Sequence, residues 1–269
     1  MYLYITTSRG FFKYSLKSNK LINLINNRHK GFFKKRSKGF FGICEDKINK
    51  LILVASRENL TKSIKFEKST DMILHIYDYK NKIFLNKIQI NEIFDVHQIH
   101  KFEENLFLTD TGKNRILIYD LKYNKNKFSI NVGHKRININ HVNAIYVDDN
   151  KLLIGLNNGN KYNLQNAQIL EIDYNTIKKF NSDINAYDYC RVINLKNIYH
   201  THDIENINNN YIISASEDGF IFDYKTLEIK KKLPKWTRGI SKNNEYIFVG
   251  KSELGTRNLR HSRYYDAKI

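Results

Sequence analysis

Five segments of the chain share one pattern, and this repeat constrains the fold more than any other feature. Each segment has an isoleucine followed by a polar turn rich in Asn, Asp, Glu or Lys. A second apolar stretch begins six to eight residues after the isoleucine. Two apolar stretches joined by a turn-forming linker predict a β-hairpin. The aligned isoleucines are Ile43, Ile99, Ile145, Ile204 and Ile240.

The first four segments continue in the same way. Third strands are predicted at 73–79, 115–121, 168–174 and 219–225. Fourth strands are predicted at 82–90, 127–133, 176–180 and 227–233. The aligned isoleucines are 36 to 59 residues apart. Four-stranded antiparallel units repeated at such intervals are typical of β-propeller blades. Two long connections are predicted at 57–71 and 181–197.

The predicted number of blades depends on how the two ends of the chain are counted. The N-terminal stretches YLYITTS, GFFKYSLK and KLINLINN resemble the second, third and fourth strands of a blade that lacks its first strand. The last unit, 236–269, has room for two strands and part of a third. We therefore expect one all-β domain over residues 1–269. It is predicted to be a β-propeller of six four-stranded blades with an incomplete last blade, and five blades are the alternative.

Composition narrows the function classes. The formal net charge is +18, but Lys, Asn and Ile are abundant together, as a biased genome composition would produce. The densest basic cluster, KKRSK at 34–38, falls in a predicted loop. The chain has no RNP-like motif, helix-turn-helix pattern or zinc finger. We therefore interpret the charge as a solvated surface and do not expect a nucleic-acid partner.

Features of the sequence also predict the cellular compartment. The chain has no apolar run near the roughly 18 residues that a membrane span needs. Its N-terminus lacks the charged start and apolar stretch of a signal peptide. Two cysteines, Cys44 and Cys190, are too few for a disulfide framework. We expect a cytoplasmic protein without a membrane span.

Candidate site residues come from the aligned inner strands. In a propeller, the first strand of each blade lines a central channel, so equivalent positions of the repeat converge there. The positions two and four residues before the isoleucines hold four of the nine histidines. These ten positions are Phe41, His97, Asn143, His202, Arg238, Gly39, Asp95, His141, His200 and Trp236.

Three chemistries fit such positions. Neutral imidazoles from three strands bind a divalent metal, zinc above all, and His97, His141 and His202 are the chosen ligands. Asp95 would then orient a ligating histidine, and Arg238 would clamp an anionic group. Alternatively, no metal is bound, and the histidines form an anion or sugar pocket with Asn143 and Arg238, with Trp236 or Phe41 as a stacking wall. In the third chemistry one histidine is a general base. His200 is the catalytic candidate, and it is also the reserve metal ligand of the first chemistry.

The predicted function follows from these positions. The leading hypothesis is a site that binds, and in one version converts, a small anionic ligand. If the protein is an enzyme, metal-assisted lyase or hydrolase chemistry is expected. The alternative is a non-catalytic propeller that binds a protein or peptide partner, in which case the polar residues line a water-filled channel.

One stretch carries a resemblance to a known family. LFLTDTGKNRILIYDL, 106–121, resembles the NHL-type propeller repeat, in which a strand ends in Asp-Thr-Gly-x-Asn-Arg and continues into a second strand. This sequence keeps Asp110, Thr111, Gly112, Asn114 and Arg115. The resemblance implies a propeller fold, and NHL-like propellers include both binding scaffolds and enzymes.

Two further likenesses bear on the site. The histidine-lined centre is similar in kind to that of the peptidylglycine α-amidating lyases, six-bladed propellers whose channel histidines hold zinc. His-x-Asn at 141–143, His-Asp at 202–203 and Arg-Gly-Ile at 238–240, followed by IFVGKSE, look like a bacterial family of six-bladed propellers of unestablished function. Ala144 stands where that family has glycine. This likeness implies a central site without naming its ligand.

Overall fold

The computed structural model of the chain describes the following residues: 1–7, 10–26, 39–57, 70–133, 140–157, 159–160, 163–164, 166–216, 219–233, 236–252 and 267–268. They are mostly β-strand. The chain divides into two compact units, the first mainly Met1–Asn131 with Asn181–Ile184, the second mainly Ile139–Phe180 with Asn185–Ile269. Within the described ranges, no helix is long and apolar enough to cross a membrane.

The first unit consists of antiparallel sheets whose strands follow one another along the chain. The sheet orders are β1-β2-β3, β4-β5-β6-β7 and β8-β9-β10-β11, the last with β17 beside β11 at the boundary of the unit. The strands are β1 (Tyr2–Thr7), β2 (Gly10–Ser15), β3 (Lys20–Asn26), β4 (Gly39–Asp46), β5 (Leu51–Arg57), β6 (Thr70–Asp78), β7 (Ile83–Ile93), β8 (Val96–Phe102), β9 (Asn105–Asp110), β10 (Arg115–Asp120), β11 (Lys125–Asn131) and β17 (Ile184–Asn185). One 3-10 turn, Thr111–Lys113, joins β9 to β10.

The second unit is built in the same way. Its sheet orders are β12-β13-β16-β18, β14-β15, β19-β20-β21-β22 and β23-β24-β25. The strands are β12 (Val142–Val147), β13 (Lys151–Leu156), β14 (Gly159–Asn160), β15 (Asn163–Leu164), β16 (Gln168–Asp173), β18 (Cys190–Asn194), β19 (Thr201–Ile207), β20 (Asn210–Ala215), β21 (Phe220–Asp223), β22 (Ile229–Lys232), β23 (Trp236–Lys242), β24 (Ile247–Ser252) and β25 (Ala267–Lys268). A short helix, α1 (Tyr174–Ile177), and a 3-10 turn, Ala186–Asp188, complete it.

The predicted fold class is confirmed: the protein is an all-β propeller of antiparallel sheets, four of which have four or more strands. All five predicted hairpins and all four predicted third strands are present. The predicted count of six blades is wrong, because the structure has five. The terminal sheets β1–β3 and β23–β25 have only three strands each, so they do not supply two further complete blades.

One predicted fourth strand is also wrong. Residues 176–180 do not form a strand, because the chain enters helix α1 directly after β16. Asp173 caps that helix, and its carboxylate accepts hydrogen bonds from the backbone N–H groups of Asn175 and Thr176. The fourth strand is β18, which lies within the predicted connection at 181–197. The predicted basic loop at 34–38 and most of the connection at 57–71 lie outside the described residues.

The turn at 110–115 is part of the architecture of the first unit. The carboxylate of Asp110 is fully buried and accepts hydrogen bonds from Phe94 N at 2.7 Å and from Arg115 Nε at 2.9 Å. Arg115 also donates to the carbonyl oxygen of Glu92 at 2.7 Å. Asn114 adopts a left-handed conformation with φ of 49°. These residues fix the chain where it enters β8, so the motif stabilises the fold.

A buried histidine in the same unit couples the fold to pH. His75 on β6 is 4% exposed, and its Nε2 lies 2.8 Å from Ser56 Oγ on β5. Burial lowers the pKa of His75 to about 4 from its ordinary value of 6.5, and the charge of Lys87 acts in the same direction. Protonation therefore costs more in the folded state than in the unfolded chain. We interpret His75 as a structural residue.

We expect His75 to make stability fall as the pH is lowered from 6.5 towards 4. In this window the unfolded chain binds a proton that the folded state excludes, so unfolding becomes more favourable as pH falls. The shift amounts to about 3 kcal/mol over the window. The measurement is urea unfolding from pH 7 to pH 4 of the parent and of His75→Gln. Identical pH slopes for the two proteins would contradict the assignment.

Candidate functional site

The first strand of each of the five repeats contains a β-bulge at the same place. The pairing register shifts by one residue between Phe40 and Ile43, Val96 and Ile99, Val142 and Ala144, Thr201 and Asp203, and Arg238 and Ile240. Each bulge lies within the few residues before an aligned isoleucine or ends at it. A bulge takes residues out of the ladder and redirects their side chains, and bulges are common next to functional sites.

In the first unit the bulge positions gather around Arg57, the last residue of β5. Arg57 donates from Nε and Nη2 to the carbonyl oxygen of Val96 at 3.0 and 2.6 Å, and Nη2 also pairs with Asp95 Oδ1. The other carboxylate oxygen of Asp95 lies 3.6 Å from His97 Nε2. The Arg57 guanidinium carbon is 3.8 Å from the ring centroid of Phe41.

The predicted residues of the first unit therefore lie around an ion pair whose arginine is buried. Burial lowers the pKa of Arg57 below its ordinary value, while the carboxylate of Asp95 opposes that shift. The guanidinium also covers one face of the Phe41 ring by a cation–π contact. Arg57 therefore positions Phe41 and Asp95, and through Asp95 also His97. The alignment of the five repeats did not select Arg57. Its only signal in the sequence is a charge at the end of the second strand of a repeat.

In the second unit the predicted residues His202 and Arg238 are in direct contact. His202 is the bulged residue of β19, and Arg238 is the residue before the bulge of β23. Arg238 Nη1 lies 2.8 Å from His202 Nε2. Strands β19 and β23 pack as neighbours, so the bulge of one strand brings its imidazole to the guanidinium of the next.

Asp203, the residue after His202, holds these two strands together. Its Oδ2 accepts a hydrogen bond from the backbone N–H of Ile240 at 2.6 Å, directly after the bulge of β23. Gly239, the bulged residue, has φ of 69°, a conformation that favours glycine. A Cβ at Gly250 on β24 would lie 2.2 Å from the carbonyl oxygen of Arg238. The dipeptide Arg-Gly and the glycine on β24 are thus needed for the geometry that presents Arg238.

Asn143 is the bulged residue of β12, the inner strand next to β19. Its side chain is buried, and its Oδ1 has no hydrogen-bond partner within the described part of the chain. A buried acceptor left without a donor costs about 1–3 kcal/mol. Asn143 therefore offers a hydrogen-bond acceptor that a ligand or water could satisfy.

The other predicted residues of the second unit have different surroundings. His141 precedes β12 with φ of 43°, and its carbonyl oxygen accepts from Asn157 N at 3.3 Å. His200 precedes β19, and its carbonyl oxygen accepts from Ser216 N at 2.8 Å. Because the bulge follows His200 directly, simple alternation does not relate its side chain to that of His202. Trp236 begins β23 opposite Ser252, and its side chain lies outside what the structure describes.

The observed contact bears on the predicted zinc site. A guanidinium has only donors and keeps its charge, so Nε2 of His202 must be the acceptor in its contact with Arg238. The same lone pair does not ligate a metal in this arrangement, and the nearby positive charge would repel a dication. Among the described side chains, no group of three or more His, Cys, Asp or Glu could hold a metal ion. Zinc binding by His97, His141 and His202 stays a prediction.

Comparison with known proteins supports the fold. No protein-family model and no curated protein sequence matches the chain. A chain in the crystal structure of a nidogen/laminin complex is similar over 92% of this chain and 84% of its own, with a TM-score of 0.57 and 10% identity. A computationally designed protein, Ika8, covers 93% of this chain with a TM-score of 0.46 and 8% identity, and this chain spans 65% of its length. The first of these similarities agrees with the β-propeller fold seen here.

Proposed function

We propose that the second unit binds a small anionic ligand where β19 and β23 begin, with Arg238 as the anion-binding residue. The observation that carries the proposal is the 2.8 Å contact between Arg238 and His202, formed by a bulge in each strand. A guanidinium donates in a planar fork that matches carboxylate and phosphate groups. The two bulges and the glycine at position 239 fix the backbone that positions this guanidinium.

The electrostatics of the contact suit anion binding. Because Nε2 of His202 accepts from Arg238, the imidazole is neutral and carries its proton on Nδ1. A neutral imidazole orients the guanidinium without placing a negative charge beside it. His202 is thus a positioning residue in this proposal, and the charge of Arg238 attracts the ligand.

Asn143 narrows the class of ligand. Its buried Oδ1 needs a donor, and it stands at the equivalent bulge of the neighbouring inner strand. A ligand with both an anionic group and a hydroxyl would satisfy Arg238 and Asn143 together. Small hydroxycarboxylates and phosphate monoesters have this combination. Conversion of the ligand, with His200 as the acid–base residue, stays a prediction beside this proposal.

We expect Arg238→Ala to weaken anion binding about 10- to 100-fold, the loss typical of hydrogen bonds to a charged group. Arg238→Lys should retain part of the affinity, and His202→Ala should weaken binding less than Arg238→Ala. The measurement is isothermal titration with inorganic phosphate, sulfate and glycerate. Glycerate should also lose affinity in Asn143→Leu, because the hydroxyl partner is removed.

The matched control is Arg191→Ala in the same unit. Arg191 pairs with Glu171 at 3.0 Å, and its side chain is 65% exposed. It should leave the affinity for all three anions unchanged. Equal binding by the parent and Arg238→Ala would overturn the proposal and favour the alternative, a propeller that binds a protein or peptide partner.

A further inference from the structure

In the first unit, three turns lie at one common end of their sheets. They are the turns 16–19 between β2 and β3, 47–50 between β4 and β5, and 79–82 between β6 and β7. Tyr79 N donates to Lys50 O at 3.2 Å, which joins two of these turns directly. Strand β1 begins at the same end, because Tyr2 pairs with Ser15 next to the turn 16–19, and the ring of Tyr4 lies 6.3 Å from the ring of Tyr79. The two sheets therefore stand side by side with their turns together.

The surface around these turns consists of described residues. Gly39 pairs with Arg57 at the end of the sheet remote from the turns. The described ranges of these two sheets are interrupted only at such remote strand ends, after Thr7, Asn26 and Arg57 and before Gly10, Gly39 and Thr70. No undescribed segment therefore starts or ends next to the three turns.

The turn end of these two sheets is basic. Its acids are Glu45, Asp46 and Asp78, and Asp46 is already paired with Lys101 of β8 at 3.2 Å. Six exposed lysines stand at the same end: Lys17, Lys20, Lys47, Lys50, Lys80 and Lys82. Three acids, one of them opposed by a further lysine, do not balance six lysines. We call this surface the basic end.

The neighbouring sheet β8–β11 limits the basic end on one side. Leu121 N donates to Glu104 O at 3.0 Å, so the turns of this sheet also lie together. They carry Glu103, Glu104 and Lys122, and Asp120 and Lys125 flank them. Acidic and basic side chains nearly balance there, which confines the excess of positive charge to the first two sheets.

Apolar side chains project from the basic end between its lysines. Each of the three turns has an exposed lysine followed directly by an exposed aliphatic residue, and these pairs are Lys20–Leu21, Lys47–Ile48 and Lys82–Ile83. Ile48 is 87% exposed, although hydrogen bonds between Asp46 and Asn49 close its turn without it. One exposed isoleucine is ordinary, but the same pair at three adjacent turns indicates a partner that is both anionic and apolar.

We propose that the basic end docks on an anionic lipid surface. The lysines would lie against the headgroup phosphates, and Leu21, Ile48 and Ile83 would enter the boundary between headgroups and acyl chains. Each lysine close to an anionic bilayer adds to the attraction, and shallow burial of aliphatic side chains adds an apolar contribution. Lysine suits this position because its long apolar stem can lie beside lipid while its ammonium group stays at the headgroups.

The spacing of the aliphatic residues favours lipid over a protein partner. They stand singly on separate turns and are divided by lysines, so they do not form one continuous apolar patch. A protein interface usually has a closely packed apolar centre with charged residues at its rim. A fluid lipid surface accepts separate protruding side chains without a matching shape.

The test is co-sedimentation of the intact protein with vesicles of phosphatidylcholine that contain roughly a quarter phosphatidylserine. We expect binding to these vesicles and much weaker binding to pure phosphatidylcholine. Lys17→Glu/Lys80→Glu should weaken binding by about 10-fold or more, because two attractive charges become repulsive. Ile48→Ser/Ile83→Ser should weaken it by about 5-fold, and neither side chain belongs to the core.

The matched control is Lys231→Glu/Lys232→Glu, which makes the same change in net charge on the exposed strand β22 of the second unit. It should leave vesicle binding unchanged. Ile48→Trp adds a direct measurement of insertion. Its fluorescence should shift to shorter wavelength on the anionic vesicles, relative to the parent protein, whose one tryptophan is Trp236.

Four results would overturn the proposal. They are no binding to the anionic vesicles, undiminished binding by both variants of the basic end, an equal loss of binding in the control variant, and an unchanged spectrum of Ile48→Trp on the vesicles. Tighter binding of an acidic amphipathic peptide than of the vesicles would also overturn it, and would assign the basic end to a protein partner.

Discussion

Gly112→Ala is expected to lower the free energy of unfolding by about 3 kcal/mol, the upper range for an overpacked site. A Cβ at position 112 would lie 1.7 Å from Cδ1 of Phe94. The backbone of Phe94 is held in place, because Gly112 N donates to Phe94 O at 2.9 Å and Asp110 accepts from Phe94 N at 2.7 Å. The clash is therefore relieved either by driving the ring out of its rotamer or by moving the backbone at the entry to β8.

A double-mutant cycle with Phe94→Ala tests this cause. Phe94→Ala removes the ring that the new methyl group would meet, so Gly112→Ala should cost far less in that background. Urea unfolding of the four proteins gives the coupling energy. Additive effects would show that the cost arises elsewhere, in the conformation of the turn itself. This result would also show why glycine stands at position 112 of this turn.

Much of this fold could be predicted from local pattern. The five aligned isoleucines are followed by turns and apolar stretches, and Ile99, Ile145 and Ile204 are all almost completely buried. A repeat of this kind specifies hairpins, and hairpins of this spacing specify propeller sheets. The prediction failed at 176–180, where Asp173 starts a helix by capping it. The repeat pattern does not show whether such a stretch forms a capped helix or a short strand, because the surrounding structure decides between the two.

The candidate sites were only partly predictable. Alignment on the isoleucines selected His202 and Arg238, which do meet, but it assumed an unbroken alternation of side chains. The bulges break that alternation, and the glycines at 42 and 239 were their only local signal. Arg57 was missed because its partners Asp95 and Val96 are 38 and 39 residues away in sequence. Such a pair becomes visible only when neighbouring sheets pack.

The second large effect is expected at this buried pair. Asp95→Ala should lower the free energy of unfolding by about 3–5 kcal/mol, because it leaves a buried charge without its partner. The side chain of Arg57 is only 10% exposed, whereas that of Asp95 is 21% exposed. Arg57→Met should cost less, since methionine keeps the packing on Phe41 and the freed carboxylate is nearer to water.

The double variant Arg57→Met/Asp95→Ala decides between two roles for Asp95. If Asp95 mainly neutralises Arg57, the double variant should be more stable than Asp95→Ala alone, because no buried charge remains. If Asp95 mainly orients His97, which lies 3.6 Å away, removing Arg57 should bring no recovery. Urea unfolding of the parent and three variants measures the difference. Recovery of stability in the double variant would show that Arg57 and Asp95 serve to stabilise the first unit. The contact of His202 with Arg238 would then be the better candidate for ligand binding.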